Sequence, residues 1–570
     1  LQILQLLEFT RLQSIPKSVT NIGDFMTQVR RFFGTDGIRG RFVTANSTEK
    51  AAIEALHQER GICSTLMRLV GESLARVSDT MPGEGTTVVV GWDQRPCNEE
   101  LVANLTLGLR LAGCSVIHIG ICSTPLLHYS ILQNNARLGC MITASHNPVS
   151  DSGIKVFDNQ GYKTSPQLED EISLIAEALA QEEREIDDID RDNFSKADIN
   201  LSEQGAWAPQ QHTQWLTQRM ATWTDFGTSL THTNIANPLI LDCSKGAPST
   251  WFAQWLSEQG IHCKEVSHDA KAMNDGCGAG ELSPTDTWTF EQAMNESHLL
   301  LRNVQPASAG TVVGAALDGD GDRCLLIEAT ETGYKVVDGD AIADLLLKAA
   351  AKNKPNSHWY LAASIESDLA LLSNPNSALE IKTCETAVGD RWLSVELRKR
   401  GLAGKDMPKL FGVEDSGHVV LPSRYPNLEN KWSLVGDGAA TLTTYLLAKS
   451  CIGNDEMIRG WKKRVSISNV DRNRWDGRNQ LSDDVANIAF SELNKLGELT
   501  HWNRHGLDGE NNLMLIEALL DDRPLSLGIR NSGTQAKISI SLRLGIGLDY
   551  SPMENILNEI STLLSLKMSL

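Results

Sequence analysis

The chain has 570 residues, 41% hydrophobic and 22% charged, with 72 acidic against 52 basic side chains and a formal net charge of −20. That length predicts roughly three to five domains, and so acidic a chain is poorly suited to nucleic acid, which selects a basic face. An anionic substrate is repelled overall, so any phosphate site must concentrate its own Arg, Lys and backbone N–H groups. Eleven cysteines, none in a C-x-x-C spacing, argue against a disulfide framework or a structural zinc and fit a reducing cytoplasm. No apolar run reaches the ~18 residues of a membrane helix, so no membrane partner is expected.

The opening LQILQLLEF carries Glu8 and lacks a basic lead-in and a small-residue cleavage site, which makes a poor signal peptide. Residues 1–25 are expected to form a non-core extension, with Met26 a sensible start. TTVVVG (86–91) predicts a strand, EELVANLTLGLRLAG (99–113) a helix stopped by Gly113, and CSVIHIG (114–120), LGCMITA (138–144) and GIKVFD (153–158) further strands. The charged run 175–205 predicts a solvated helix and linker. PLILDCSKGAPSTWFAQWLSEQG (238–260) repeats strand, loop and helix, and TVVGAALDGDGDRCLLIEA (311–329) gives strand, carboxylate loop and strand. GDAIADLLLKAAA (339–351) predicts a helix and HWYLAASI (358–365) a strand. This alternation argues for α/β layers with mostly parallel sheets. The last ~110 residues have fewer βα units and predict a smaller α+β domain. The expected divisions are 26–200, 201–330, 331–455 and 456–570.

Six segments carry candidate chemistry. TASHNP (143–148) follows an apolar strand and is either a turn or a nucleophile, Ser145, on a loop at the strand end. It lacks the G-x-S-x-G elbow of a serine hydrolase. In LDGDGDRC (317–324), Asp318, Asp320 and Asp322 repel one another unless a cation neutralises them, and hard divalent ions take such oxygen ligands. An EF-hand is excluded, because Arg323 and Ala329 hold the places of its Gly and Glu. RNSGTQAK (530–537) suits an anion cradle, with Arg530, the Ser532 and Thr534 hydroxyls and the freed backbone at Gly533, or a plain turn. FGVEDSGHVVLP (411–422) alternates Glu414, Ser416 and His418 on one side of an extended segment, where Glu and Ser suit sugar hydroxyls; a hairpin with incidental polar residues is the other reading. FFGTDGIRG (32–40) and GIK (153–155) supply Arg39 and Lys155, each a phosphoryl-stabilising cation or a surface charge.

The order FGTDGIRG, TASHNP…GIK, DGDGDR, GVEDSGH, RNSGT, at domain-sized gaps over roughly residues 30–545, resembles the α-D-phosphohexomutase superfamily, and within it the phosphoglucosamine mutase branch. VVVGWDQRP, STP, AVGDR and GDG are lesser matches. The resemblance implies three similar α/β domains with mixed or parallel sheets and a smaller C-terminal α+β domain around one cleft. It implies a phosphorylated Ser145 that gives its phosphoryl group to a sugar 6-phosphate and recovers another from the 1,6-bisphosphate intermediate. Ser145, Asp318, Asp320 and Asp322 would hold one Mg²⁺. Arg39 and Lys155 would stabilise the moving group, with Lys155 favoured for acid–base work, and His146 would support the serine loop. Arg323 would extend the site, Glu414 and Ser416 would bind sugar hydroxyls, and His418 would be a second proton-transfer candidate. Arg530, Ser532, Gly533 and Thr534 would anchor the resting phosphate. The implied substrate is glucosamine 6-phosphate, then glucose or mannose phosphates; a non-catalytic sugar-phosphate binder is the alternative of another class. A cytoplasmic monomer or homodimer acting on small sugar phosphates is expected.

The sequence also departs from the family pattern. Asn531, Gln535 and Ala536 differ in the phosphate loop, Ser539 stands where an Arg is usual, and Val413 and Asp415 replace the usual Gly and Gln of the sugar loop.

Overall fold

The computed structural model describes residues 31–34, 36–44, 48–78, 85–230, 234–373, 378–531 and 536–569. The expected N-terminal extension, Met26 and the loop residues Ser532, Gly533 and Thr534 lie outside these. The first sheet contains β1 (Ile38–Arg41), β2 (Thr87–Trp92), β3 (Ser115–Ile121), β4 (Leu138–Ile142), β5 (Asp151–Phe157) and β6 (Ile199–Asn200), in the order β1-β5-β4-β2-β3-β6. The second contains β7 (Ile235–Asp242), β8 (Cys263–Glu265), β9 (Thr287–Thr289), β10 (Val312–Leu317), β11 (Cys324–Ala329) and β12 (Gly333–Val337), in the order β8-β7-β10-β11-β12-β9. The third contains β13 (His358–Ser364), β14 (Glu380–Thr386), β15 (Leu410–Val413), β16 (Val419–Arg424) and β17 (Trp432–Gly436), in the order β14-β13-β15-β16-β17.

One pattern recurs in all three. A central strand (β2, β7 or β13) is flanked by two parallel neighbours, one of which turns back into an antiparallel strand. The sheets are therefore mixed rather than mostly parallel. That reversal is a hairpin joining β4 to β5, β10 to β11 and β15 to β16. The loops that carry Ser145, the three aspartates and Glu414–His418 occupy these three equivalent turns, beyond the C-terminal ends of parallel strands, where open α/β sheets gather ligands.

Local sequence explains the covering helices. Asn98–Leu111 opens with Glu99 and Glu100, favourable to the helix dipole, and ends ahead of Gly113 at φ 92°. Asp338 caps Gly339–Asn353 by accepting from Ala341 N at 3.0 Å. In the charged run, Asp188–Phe194 is a short helix that buries no residue, after which β6 returns to the edge of the first sheet beside β3. The first sheet has its own core, including Val88, Val90, Cys140, Ile142 and Ile154. The second and third share one, in which Leu239, Leu241 and Leu317 join Leu361, Phe411 and Val413.

The fourth sheet, β18 (Trp461–Ser468), β19 (Leu499–Leu507), β20 (Glu510–Leu520), β21 (Arg523–Asn531) and β22 (Lys537–Leu544), is wholly antiparallel in the order β18-β22-β21-β20-β19. Alternation gives it two faces. Leu527, Ile529, Ile538 and Ile540 pack with helices Gln480–Leu493 and Met553–Met568. Lys462, Arg464, Arg530 and Arg543 lie on the other face and pair with Asp340, Glu366 and Glu385 of the third unit. Among the described residues no helix is long and apolar enough to cross a membrane.

Candidate active site

The serine loop is bent by its own side chains. Thr143 Oγ1 donates to Asp93 Oδ2 at 2.6 Å and accepts from Ser145 N at 2.8 Å. Ser145 sits at φ 53°, a left-handed conformation that a non-glycine residue adopts only when its surroundings impose it. The Ser145 carbonyl accepts from Arg95 Nη2 of the first unit and Asn274 Nδ2 of the second, each at 2.8 Å. Its hydroxyl is buried and donates to Asp318 Oδ2 at 2.9 Å. The aspartate loop meets it closely: a Cβ on Gly319 would lie 2.8 Å from the Ser145 carbonyl oxygen.

Asp318, Asp320 and Asp322 are buried, and each offers a carboxylate oxygen within 4.8 Å of the others. Thr124 Oγ1 donates to Asp320 Oδ2 at 2.5 Å, and Lys155 Nζ donates to Asp320 Oδ2 at 2.6 Å and Asp322 Oδ2 at 2.9 Å. Asp320 Oδ1 and Asp322 Oδ1 are buried without a hydrogen-bond partner. Burial, with the Asp322 and Asp320 charges, pushes Asp318 up to about 8. Burial also opposes ionisation of Asp322, but Lys155 and His418 hold it well below the usual carboxylate range. Three converging carboxylates with two unpartnered oxygens fit a hard divalent cation.

Cations from several elements surround the triad. Arg39 donates to the Asp36 carboxylate, to Asp36 O at 3.0 Å and to Ala144 O at 3.3 Å. Lys155 is raised, because Asp320, Asp322 and Asp36 outweigh the burial that would lower it. Lys163 joins Asp36 Oδ1 and Asp390 Oδ1, both at 2.5 Å, and so ties the first unit to the third. Arg323 Nε lies 4.0 Å from Asp318 Oδ2. His146 is half-buried, its Nδ1 unpartnered; burial, Arg323 and Arg39 push it down to about 3, leaving a neutral ring.

Of the two readings of the 411–422 segment, the hairpin is the one the structure has. Glu414, Ser416 and His418 lie on a tight hairpin turn rather than an extended segment. Glu414 N donates to His418 O at 2.9 Å and Gly417 N to Glu414 O at 3.1 Å. Gly417, at φ 86°, reverses the chain where a Cβ would strike Cys324 O. The turn docks on the aspartate loop through Cys324 N donating to Gly417 O at 3.0 Å. Glu414 Oε1 accepts from Gly389 N at 2.6 Å, and Ser416 is half-buried in the turn. His418 lies 3.6 Å from Asp322, 3.7 Å from Asp390 and 3.5 Å from Glu414. Burial lowers its pKa, yet Asp322, Asp390 and Glu414 prevail and push it up to about 9, so the imidazole is charged at neutral pH.

At the other end, Arg530 Nη2 donates to Glu366 Oε1 at 3.1 Å. Asn531 is structural, its amide donating to Arg472 O at 3.0 Å and Trp475 O at 2.8 Å. The structure thus brings Ser145, Lys155, Arg39, Arg323, Glu414, His418 and the triad into one network. Sequence reasoning assigned no role to Asp36, Arg95, Thr124, Asn274, Lys163, Asp390, Glu366 or Arg464. Arg95, Thr124 and Asp390 fall in the fragments GWDQRP, STP and AVGDR, which carry no reactive chemistry themselves but hold the residues that do.

Two family models match this chain, phosphoglucomutase/phosphomannomutase alpha/beta/alpha domain I over residues 30–183 and domain III over residues 338–451. A phosphoglucosamine mutase of Rhodococcus erythropolis is 32% identical over 72% of this chain and 77% of its own length. One from Bifidobacterium longum subsp. infantis is 27% identical over 80% of this chain and 88% of its own. A Paramecium phosphoglucomutase, the exocytosis-sensitive phosphoprotein pp63/parafusin in its open form, shares the fold with a TM-score of 0.60 at 17% identity, over 95% of this chain and 97% of that one.

Proposed function

This chain belongs to the α-D-phosphohexomutase superfamily and is an enzyme, an intramolecular phosphotransferase; from that premise we propose that it interconverts glucosamine 6-phosphate and glucosamine 1-phosphate through a phosphorylated Ser145 and a bisphosphorylated sugar. The observation that carries the proposal is the buried Ser145 hydroxyl, held at φ 53° and 2.9 Å from Asp318 Oδ2, at the edge of a carboxylate triad. A strained serine beside a divalent-cation site suits a hydroxyl that carries a transferable phosphoryl group.

In the proposed reaction the bond from phosphorus to Ser145 Oγ breaks as the sugar C1 oxygen bonds to phosphorus, and the sugar hydroxyl proton passes to a basic group. After the bisphosphate turns over, the bond from phosphorus to the C6 oxygen breaks as Ser145 Oγ bonds to phosphorus, the C6 oxygen takes a proton back from the protonated group, and the 1-phosphate leaves. Asp318, Asp320 and Asp322, with Ser145, would hold Mg²⁺, which supplies charge neutralisation at the moving phosphoryl group. Arg39 and Arg323 stabilise that charge from either side of the loop. Lys155 takes up acid–base work only when Asp320 and Asp322 are otherwise neutralised, because those carboxylates hold its proton. His146, neutral and close to Arg323 and Arg39, supports the serine loop. Glu414 and Ser416 meet sugar hydroxyls, with the charged His418 beside them. Arg530, together with Ser532, Gly533 and Thr534, anchors the phosphate that is not reacting. The four sheets support a four-unit division of the chain close to 26–200, 201–330, 331–455 and 456–570.

The test is turnover on glucosamine, glucose and mannose 6-phosphates with Mg²⁺ and a bisphosphate primer, beside Ser145→Ala. We expect preference for glucosamine 6-phosphate and a loss of about 10³-fold or more in the variant. Full turnover by Ser145→Ala would remove the mechanism, and exclusive action on glucose phosphates would replace the substrate.

A further inference from the structure

Two arginines from different strands of the C-terminal sheet grip one carboxylate. Arg530 Nη2 donates to Glu366 Oε1 at 3.1 Å, and Arg464 Nη1 donates to Glu366 Oε2. Strand register explains the convergence. Arg530 stands opposite Ser539, and Ser539 stands opposite Ser466. Arg464 lies two residues before Ser466 on β18 and so shares that face. Ser539 is the position where the family pattern has an arginine, so Arg464 restores a second guanidinium to this face from the adjoining strand.

The pairing has the form of anion recognition. Each oxygen of the Glu366 carboxylate is bonded by a different guanidinium, so the two arginines converge on a volume the size of a small oxyanion. Glu366 is nearly buried at 8% exposure, whereas the Arg464 side chain is 44% exposed and reachable from solvent. Arg530 is flanked on its other side by Glu510, 3.7 Å from Nη1, and Lys462 Nζ donates to the Glu366 backbone carbonyl at 3.2 Å. A phosphate dianion offers the same guanidinium pair more charge and a third oxygen than a carboxylate does.

We propose that Arg464 and Arg530 form a two-arginine clamp for the non-transferring phosphate of a hexose phosphate, and that Glu366 is a built-in carboxylate competitor for that clamp. The hexose-phosphate part rests on the function proposed above; the clamp rests on the geometry of these three side chains. Binding of substrate then exchanges one anion for another, and affinity is set by the difference between them.

The test is calorimetric titration of the full chain with orthophosphate and with glucosamine 6-phosphate, using Arg464→Gln, Arg464→Lys, Arg530→Gln and Glu366→Gln, each checked for an unchanged thermal transition. Arg464→Gln and Arg530→Gln should each weaken orthophosphate binding about tenfold or more, Arg464→Lys should fall between them and the unmodified chain, and Glu366→Gln should tighten binding about threefold or more. In turnover, Arg464→Gln should raise KM more than it lowers kcat. Orthophosphate binding unaffected by Arg464→Gln but lost in Arg530→Gln overturns the two-arginine clamp, and unchanged or weaker binding in Glu366→Gln overturns the competitor. If the unmodified chain turns over no hexose phosphate while the arginine variants still lose orthophosphate, the clamp stands and the mutase reading falls.

Discussion

The two ends of the cleft are built in opposite ways. At the Ser145 end, Ser145, Asp318, Asp320, Asp322 and Lys155 are all buried, and hydrogen bonds from the first and second units fix the loop from both sides. At the Arg530 end, a charged sheet face meets carboxylates of the third unit through ion pairs whose carboxylates are largely buried, and the Arg464 side chain, 44% exposed, is the member open to solvent. Buried groups bonded on every side have little freedom, and removing one partner strands the others. Exposed ion pairs are weak and exchangeable. On the proposed function, the contrast sets a preorganised, fully buried Ser145 end against an Arg530 end at which Arg464 is the group free to exchange its anion.

The sharpest way to break this comparison is at the triad. Asp320→Asn should lower turnover by about 10²–10³-fold, and chelation should do the same to the unmodified chain, with recovery on adding Mg²⁺. Turnover that survives chelation would mean that the buried end does not depend on a cation. A smaller effect is expected between units. Lys163→Met leaves Asp36 and Asp390 without the ammonium that joins them and should destabilise the fold by about 3 kcal/mol in urea unfolding. Lys463→Met, which removes an exposed pair with Glu554, should shift it by about 0.5 kcal/mol or less. Equal shifts would erase the distinction between buried and exposed pairs.

The smallest effect lies at Asp415, where the β15–β16 turn meets the C-terminal sheet. Its carboxylate accepts from Lys462 Nζ at 2.9 Å, but burial and the Asp340 and Glu366 charges still push it up to about 6. The folded value lies above the unfolded one of about 4. The folded state therefore holds this proton more tightly, and stability from this group declines as pH rises from about 4 to about 6. Asp415→Asn should flatten that part of the stability profile, measured as the urea midpoint against pH; an unchanged slope would place the titration elsewhere.

Much of the site was legible before any coordinates. Asp318, Asp320 and Asp322 announce a cation because three carboxylates at alternate positions repel one another, and Ser145 stands out by its place after an apolar strand. The 411–422 segment was only half legible: Glu414 and His418 were singled out, and of its two readings, an extended segment or a hairpin, Gly417 at φ 86° makes the turn of a hairpin. Lys163, Asp390, Glu366 and Arg464 were silent, because a lone Lys, Asp, Glu or Arg takes its meaning from the opposite charge that faces it, and those partners lie about 100 to 230 residues away.

The sequence by itself determined the elements and the chemical inventory: apolar strands, capped helices, the acid-rich loop and the serine loop follow from local periodicity, turn residues and charge repulsion. Only the tertiary structure decided that three loops far apart in the chain are the same turn of three similar sheets, that the second and third sheets share one core, and that Arg464 stands beside Arg530. The reason is physical. Periodicity and capping act within a few residues, whereas strand register and the pairing of buried charges depend on segments that meet only when the whole chain has folded.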